Sequence, residues 1–339
     1  MKIGILYEVS EDSEEYPGEN LDDTATRKKR KRPKLDREEV FAALQKLDHE
    51  PAYIELDGRD ASLFALGKSK TDLIFNLAEG YGGDDTKDLN IPAFLELVGL
   101  KYTGSGPHGL LLAQDKSLAK KIFGFHGLHT PFSAVSHRGK LDYSHDVKFP
   151  LIVKPVSEDG SIGINKLSVV DSVKELMERI HALHEELDVP ILIEEYIEGR
   201  EIYAAVLGND PPEALPLVEL DLSKLPADTP KIAGREVKFD RDSEEYRLTK
   251  SALAKDLDDE TTEKLHEAAL TAYRALKLRD YGRIDMRLTK DGEIYVIEAN
   301  PNPWLSSQAE FAMAARGSER TYTQMIKTIV DVAMARYDD

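Results

Sequence analysis

Near the end of the chain, Arg283-Ile284-Asp285-Met286-Arg287-Leu288 alternates charged and apolar residues, and Ile297-Glu298-Ala299-Asn300 alternates again shortly afterwards. A strand has a side-chain period of two, which puts Arg283, Asp285 and Arg287 on one face and Glu298 and Asn300 on a common face. The turn-forming Lys290-Asp291-Gly292 between them joins the two stretches as a hairpin. Two carboxylates, Asp285 and Glu298, then converge with one amide oxygen, that of Asn300, on a single sheet surface. Hard oxygen ligands without His or Cys suit Mg²⁺, with Mn²⁺ as an alternative, and leave the other coordination positions to water and phosphate. A salt-bridged sheet face has the same alternation. Pro301-Asn302-Pro303, which stiffens the chain where the ligands end, favours the metal.

Two further segments carry polar groups in suggestive places. In Phe149-Pro150-Leu151-Ile152-Val153-Lys154-Pro155, a lysine ends an apolar strand and is followed by Glu158-Asp159-Gly160-Ser161-Ile162-Gly163. An ammonium group beside a small-residue loop can hold a polyphosphate, with free loop N–H groups capping other oxygens. Neither GxxxxGK[ST] nor GxGxxG occurs, and an ordinary glycine turn fits the segment equally well. In Ile193-Glu194-Glu195-Tyr196-Ile197-Glu198-Gly199-Arg200-Glu201, one strand passes through an acidic connector into another. Such a connector can hydrogen-bond an adenine amine and a ribose, or it is simply an acidic hairpin turn. His181 and His184 share a helix face and read as a surface pair. The basic run Arg27-Lys28-Lys29-Arg30-Lys31-Arg32-Pro33-Lys34 reads as a solvated loop before the first helix. Its alternatives are a nucleic-acid or localisation patch, or a lure for an anionic substrate.

The elements that must position these groups follow from hydrophobic periodicity. Strands are expected over 2–7, 53–56 and 72–77, with helices over 37–48 and 91–98. This βαβα rhythm implies a parallel sheet covered by helices. A mixed α+β stretch follows, with helices over 117–125 and 173–187 and strands over 132–135, 151–154, 164–169 and 191–196. The last part has strands over 201–207, 282–288 and 293–299 and helices over 259–276, 308–315 and 322–336. Residues 222–258 lack a pattern and are expected to form a long mobile loop. The expected architecture is α/β with α+β lobes, divided at 1–112, 113–190 and 191–339. A length of 339 residues suits two or three lobes. The net charge is 45 − 63 = −18, which disfavours general nucleic-acid binding. The absence of Cys excludes disulfides and thiolate chemistry. No apolar run is long enough to span a membrane, and the apolar start of the chain is too short for a secretory signal, so a cytoplasmic enzyme is expected.

Taken in order, these segments resemble the ATP-grasp superfamily, and within it the D-alanine–D-alanine ligase family. Phe75-Asn76-Leu77-Ala78-Glu79-Gly80-Tyr81-Gly82-Gly83 and Tyr102-Thr103-Gly104-Ser105-Gly106 resemble that family's substrate-side segments, and Asp115-Lys116 its entry into the central domain. The resemblance implies a three-lobe ATP-grasp fold with an N-terminal parallel α/β domain. It implies that Lys116 and Lys154 contact ATP phosphates and that Ser161, Ile162 and Gly163 lie in a loop closing over them. Glu194 and Glu195 fall on the adenine side, with the backbone at Tyr196 and Ile197 reading adenine and Glu201 binding ribose. Lys238 would reach the γ-phosphate and Arg283 would stabilise the acyl phosphate and oxyanion. Asp285, Glu298 and Asn300 match the ligands of two Mg²⁺ ions. The implied reaction joins a carboxylate to an amine through an acyl phosphate. A small acid and an amine of amino-acid type are the expected partners, without nucleic acid or membrane, and a homodimer is an admissible state.

The departures from the family lie on the amino-acid side. Tyr7-Glu8-Val9-Ser10 lacks the usual Gly-Gly turn, and Glu79 replaces the family's His. Trp304 takes the place of a Gly facing the oxyanion, Ala309 that of a Ser holding the product carboxylate, and Phe239 that of a Tyr. The ATP half is intact and the amino-acid half is rewritten. A ligase-like enzyme is therefore expected, with a true D-alanine–D-alanine ligase and a non-catalytic nucleotide-binding protein as the alternatives.

Overall fold

A computed structural model describes residues 1–9, 35–137, 140–141, 148–157, 163–187, 189–227, 229–238, 240 and 242–338. The basic run 27–34, Ser161, Ile162 and Phe239 lie outside the described residues. Three sheets follow one another along the chain. The first is parallel, with β1 (Lys2–Glu8) between β2 (Glu50–Leu56) and β3 (Leu73–Asn76). Helices α1 (Asp36–Lys46), α2 (Asp60–Gly67) and α3 (Asn90–Val98) belong to this part, and α4 (Pro107–Gln114) and α5 (Lys116–Phe125) follow it. The second sheet is antiparallel: β4 (Ser133–His137), β5 (Lys140–Leu141), β6 (Leu151–Pro155), β7 (Val169–Val170) and β8 (Ile191–Glu195), in the order β5-β4-β8-β6-β7. Leu151, Val153, Ile191 and Ile193 pack under Leu176, Ile180 and Leu183 of α6 (Val173–Leu187). Strand alternation then turns Lys154 and Glu194 to the opposite face.

The third sheet holds β9 (Arg200–Leu207), β10 (Glu213–Ala214), β11 (Val218–Asp221), β12 (Lys250–Leu253), β13 (Tyr281–Leu288) and β14 (Ile294–Asn300), in the order β12-β11-β9-β13-β14 with β10 on β9. Its other helices are α7 (Arg235–Lys238), α8 (Glu244–Leu248), α9 (Asp259–Ala275), α10 (Glu310–Gly317) and α11 (Tyr322–Ala335). Even-numbered residues of β9 and β13, including Ile202, Ala204, Ile284 and Met286, pack on Leu265, Ala269 and Ala272 of α9 and on Phe123 of α5. The odd-numbered face is divided. At one end Ala205 and Leu207 share a core with Phe311 of α10, Met325 and Ile329 of α11, and Ile3, Ile5 and Leu44 of the first lobe. At the other end that same face carries Glu201, Asp285 and Arg287.

Most expected elements are present, and the differences have local causes. Residues 222–258 are not a patternless loop. They contain α7, α8 capped by the Ser243 hydroxyl, and β12 paired with β11. The strand expected over 164–169 is instead a 3₁₀ turn, Lys166–Ser168, capped by the Asn165 side chain and leading into β7. β11, α2 and α4 were not anticipated.

Asp280 joins the first and last parts of the chain. It is fully buried in a left-handed backbone conformation, φ 67°. Its carboxylate accepts hydrogen bonds from Arg336 Nε and Nη2 (both 2.8 Å), Asn209 Nδ2 (2.9 Å) and the Gly104 backbone N–H (2.8 Å). Asp280→Asn keeps the shape and tolerates this backbone while removing the charge, which strands the Arg336 guanidinium. The expected loss is about 3 kcal/mol of stability, read from chemical denaturation. A loss below about 1 kcal/mol would mean that the Arg336 charge finds compensation elsewhere.

Candidate active site

The hairpin anticipated from the sequence forms as an antiparallel pair closed by Gly292 at φ 84°. In its register Arg283 lies opposite Asn300 and Asp285 opposite Glu298. The next pair is Met286 with Val296, so Ile297 is an extra residue that bulges out of the ladder just before Glu298. The two carboxylates are thus fixed side by side by backbone pairing. Arg283 holds both oxygens of Asp285, at 2.7 and 2.9 Å, and its guanidinium lies 4.8 Å from the centre of the Tyr203 ring.

The expected lysines come to this place from other elements. Lys116 opens α5, whose first turn is capped by the Asp115 side chain accepting from Ser117 N (3.0 Å) and Leu118 N (2.9 Å). The Lys116 ammonium lies 3.9 Å from Glu298. Lys154 is buried on β6, 3.1 Å from Glu194 of β8. Lys238 ends α7, and its charge bears on Asp285, Glu298 and Glu310.

The electrostatics follow from this convergence. Burial raises the Asp285 carboxyl above its ordinary range; Arg283 opposes the rise and Glu298 adds to it. Burial would raise Glu298 too, but the combined fields of Lys116, Lys154, Lys238 and Arg283 outweigh it and hold Glu298 low. The site therefore has one carboxylate that resists ionising beside another that is firmly anionic, as expected for two like charges confined together. The Asn300 amide nitrogen is buried without a hydrogen-bond partner among the described residues. The donor set of two carboxylates and one amide fits Mg²⁺. No group of three or more His, Asp or Glu among the described residues could hold a metal alone, and a metal held here would take its other positions from phosphate or water.

The residues expected on the nucleotide side are located as follows. Gly163 adopts φ 68°, and an added Cβ would lie 2.9 Å from Pro155, so this position requires glycine. Its carbonyl accepts from buried Arg179 at 2.5 Å. Glu195 and Tyr196 use their backbone N–H groups on Phe132 and Pro150, at 2.8 and 3.1 Å, and Ile197 is buried. The Tyr196 hydroxyl accepts from the Lys231 N–H at 3.0 Å. Glu201 is ion-paired with Arg287 at 2.6 Å. Arg287 also donates to the carbonyls of Lys231 (2.6 Å) and Gly199 (3.0 Å), so it ties the acidic connector to the segment leading to Lys238.

Two residues were missed. Lys120, one helical turn after Lys116, is buried and lies 3.4 Å from Glu194. The i, i+4 spacing after Lys116 was the available signal. Glu310, directly after Ala309, accepts from Ser251 at 2.8 Å and lies 3.9 Å from Arg283. Ala309 caps α10 without a side-chain hydrogen bond, while Ser307 donates from Oγ (2.6 Å) and N (2.7 Å) to Glu39 of α1. Glu79 and Trp304, both departures from the expected pattern, line one small cavity with Asp36 and Asn76.

The family profile described as D-ala D-ala ligase C-terminus matches residues 130–331, a span that includes Lys154, Glu194, Arg283, Asp285 and Glu298. The chain belongs to the D-alanine–D-alanine ligase family. An uncharacterised protein of Sinorhizobium fredii is 34% identical over 88% of this chain and 87% of its own length. The D-alanine–D-alanine ligase of Aquifex aeolicus is 31% identical over 86% of this chain and 92% of its own. The crystal structure of the D-alanine–D-alanine ligase of Bacillus anthracis complexed with ATP has the same fold, with a TM-score of 0.76 at 24% identity over 100% of this chain and 99% of that one. This member of the family thus keeps the ATP-grasp architecture, and no helix among its described residues is long and apolar enough to cross a membrane.

Lys120 gives a pH test of the site's polarity. Burial, against the pull of Glu194 and with the push of Lys154, brings its ammonium from the ordinary 10.5 down to about 8. Between pH 8 and 10.5 the unfolded chain binds a proton that the folded chain has released, so this group's contribution to stability rises through the window. The stability difference between the protein and Lys120→Met should therefore grow from pH 8 to 10.5, measured by denaturation at each pH. A flat difference would show that Lys120 is not held in a poorly solvated setting.

Proposed function

We propose that the protein is a cytoplasmic ATP-dependent ligase that joins a small carboxylate to an amine of amino-acid type, forming ADP and phosphate. The observation that supports this reading best is the Asp285–Glu298 pair with Lys116, Lys154, Lys238 and Arg283 all acting on Glu298. Such a concentration of cations around hard oxygen donors is suited to a triphosphate. A carboxylate oxygen attacks the γ-phosphorus and the β–γ bridge breaks, leaving ADP and an acyl phosphate. The amine nitrogen then attacks the acyl carbon, phosphate leaves, and the amine's surplus proton passes to solvent. Lys116, Lys154 and Lys238 offset charge on the phosphates, and Arg283 faces the charge that develops on the acyl oxygen. Asp285, Glu298 and Asn300 would hold Mg²⁺, which supplies Lewis-acid charge compensation to phosphate oxygens. Ser161 and Ile162 complete the proposed phosphate loop.

The amine is proposed to be other than D-alanine. Ala309 offers no side-chain hydrogen bond to a carboxylate, and Glu310 adds a negative charge 3.9 Å from Arg283. A small zwitterion placed there loses hydration of its carboxylate without replacement bonds. Glu79 and the Trp304 indole reshape the neighbouring cavity.

The test is ATP-dependent phosphate release with pairs of amino acids, with products identified by mass. Phosphate release that needs both an acid and an amine is expected, and Asp285→Asn or Glu298→Gln should cut it by on the order of a hundredfold or more in folded protein. Turnover within a few-fold of the parent in both variants would remove the metal assignment. No phosphate release with any pair, despite ATP binding, would leave a non-catalytic nucleotide-binding protein. With D-alanine as sole amino acid, kcat/KM should fall below ~10⁴ M⁻¹s⁻¹. A value above that restores the D-alanine–D-alanine ligase reading.

A further inference from the structure

Lys120 has no place in the reaction as written, yet its surroundings are specific. Helical spacing puts it on the same face of α5 as Lys116. Its ammonium donates to the carbonyl of Ile297 at 2.9 Å, the bulged residue just before Glu298. It also lies 3.4 Å from Glu194 Oε2, the same oxygen that is 3.1 Å from the Lys154 ammonium. One carboxylate oxygen thus serves two buried cations. The cluster Lys116, Lys120, Lys154, Glu194 and Glu298 carries three positive and two negative charges, a surplus of one cation. Without Lys120, Glu194 is left with Lys154 as its one close counterion among the described residues. A lysine so engaged is a poor ligand for phosphate, because leaving Glu194 would strand a buried carboxylate.

We propose that Lys120 is a positioning residue that keeps Glu194 neutralised, so that Lys154 is free to engage a polyphosphate, while its bond to Ile297 seats the bulge that presents Glu298. This rests on the ATP-dependent reading above. In this role Lys120 needs no contact with the nucleotide, and its effect passes through Lys154 and β14.

The test compares ATP with adenosine by calorimetry, using the ratio of their affinities so that contributions from the adenine pocket cancel. In Lys120→Met the ATP preference should fall by about tenfold or more, since a phosphate contact is lost and base contacts are kept. Lys120→Arg, which retains the charge, should preserve the ratio. Lys120→Met combined with Glu194→Gln should bring it back to within about threefold of the parent, because no buried anion then competes for Lys154. Equal losses for ATP and adenosine in Lys120→Met, or a double variant no better than the single one, would overturn the proposal. Should Lys120→Met fail to fold, Glu194→Gln alone decides. A raised or unchanged ratio supports the proposal, since Lys154 is already free in the parent, and a lowered ratio overturns it. A parent protein that binds no ATP overturns the ligase reading instead, and with it the premise.

Discussion

A buried carboxylate and a partly buried one, set side by side on neighbouring strands, constrain everything around them. Burying each ion costs several kcal/mol unless opposite charge lies close by. Asp285 and Glu298 cannot avoid each other, because backbone pairing of β13 with β14 sets them directly across the ladder. The compensation comes from elements far apart in sequence: Arg283 from β13 itself, Lys116 from the start of α5, Lys154 from β6 and Lys238 from α7. Each of these elements is held by other means, such as the Asp115 cap on α5 and the packing of β6 beneath α6. The charged centre is therefore where separately stabilised parts meet.

The third sheet makes this possible by dividing one of its faces. A single strand, β9, places Leu207 and Ala205 in a core shared with α10 and α11 and, two residues further back each time, Tyr203 and Glu201 beside the charged groups. Tyr203 is the transition. Its ring packs as core, and the same ring receives the Arg283 guanidinium. Such a gradient along one strand lets polar chemistry sit directly on an apolar foundation.

Much of this was legible from residue order. The β13–β14 hairpin announced itself through strict alternation and a Gly-bearing turn, and α6 through a clean helical stripe. What stayed hidden was structure that depends on distant partners. β12 has four residues, three of them exposed and the fourth only partly shielded, and exists because β11 pairs with it. The 3₁₀ turn at Lys166–Ser168 arises because the Asn165 side chain captures the backbone N–H of Leu167, which apolar patterning does not report. Lys120 was overlooked for a different reason. Lysine usually marks a surface, and the three-dimensional closeness of Glu194 and the Ile297 carbonyl makes a buried one tolerable. The resemblance puts Glu201 on the ribose side, and the sequence did not show that Arg287, distant from it in the chain, forms an ion pair with it.

The bonds around Asp280 also set an order of events. Arg336 Nη2 donates to the carbonyl of Tyr102 at 2.8 Å, a contact spanning 234 positions, and the Tyr337 hydroxyl accepts from the Tyr102 N–H at 3.1 Å. Tyr102 and Gly104 belong to the turn that follows the first lobe, whose own core includes Ile74, Leu95 and Tyr102. During synthesis that turn leaves the ribosome long before residue 336 exists. Fastening that lobe's rim therefore closes a very wide loop, with an entropy cost that local contacts do not carry. In this molecule an earlier part of the chain is locked by a later one.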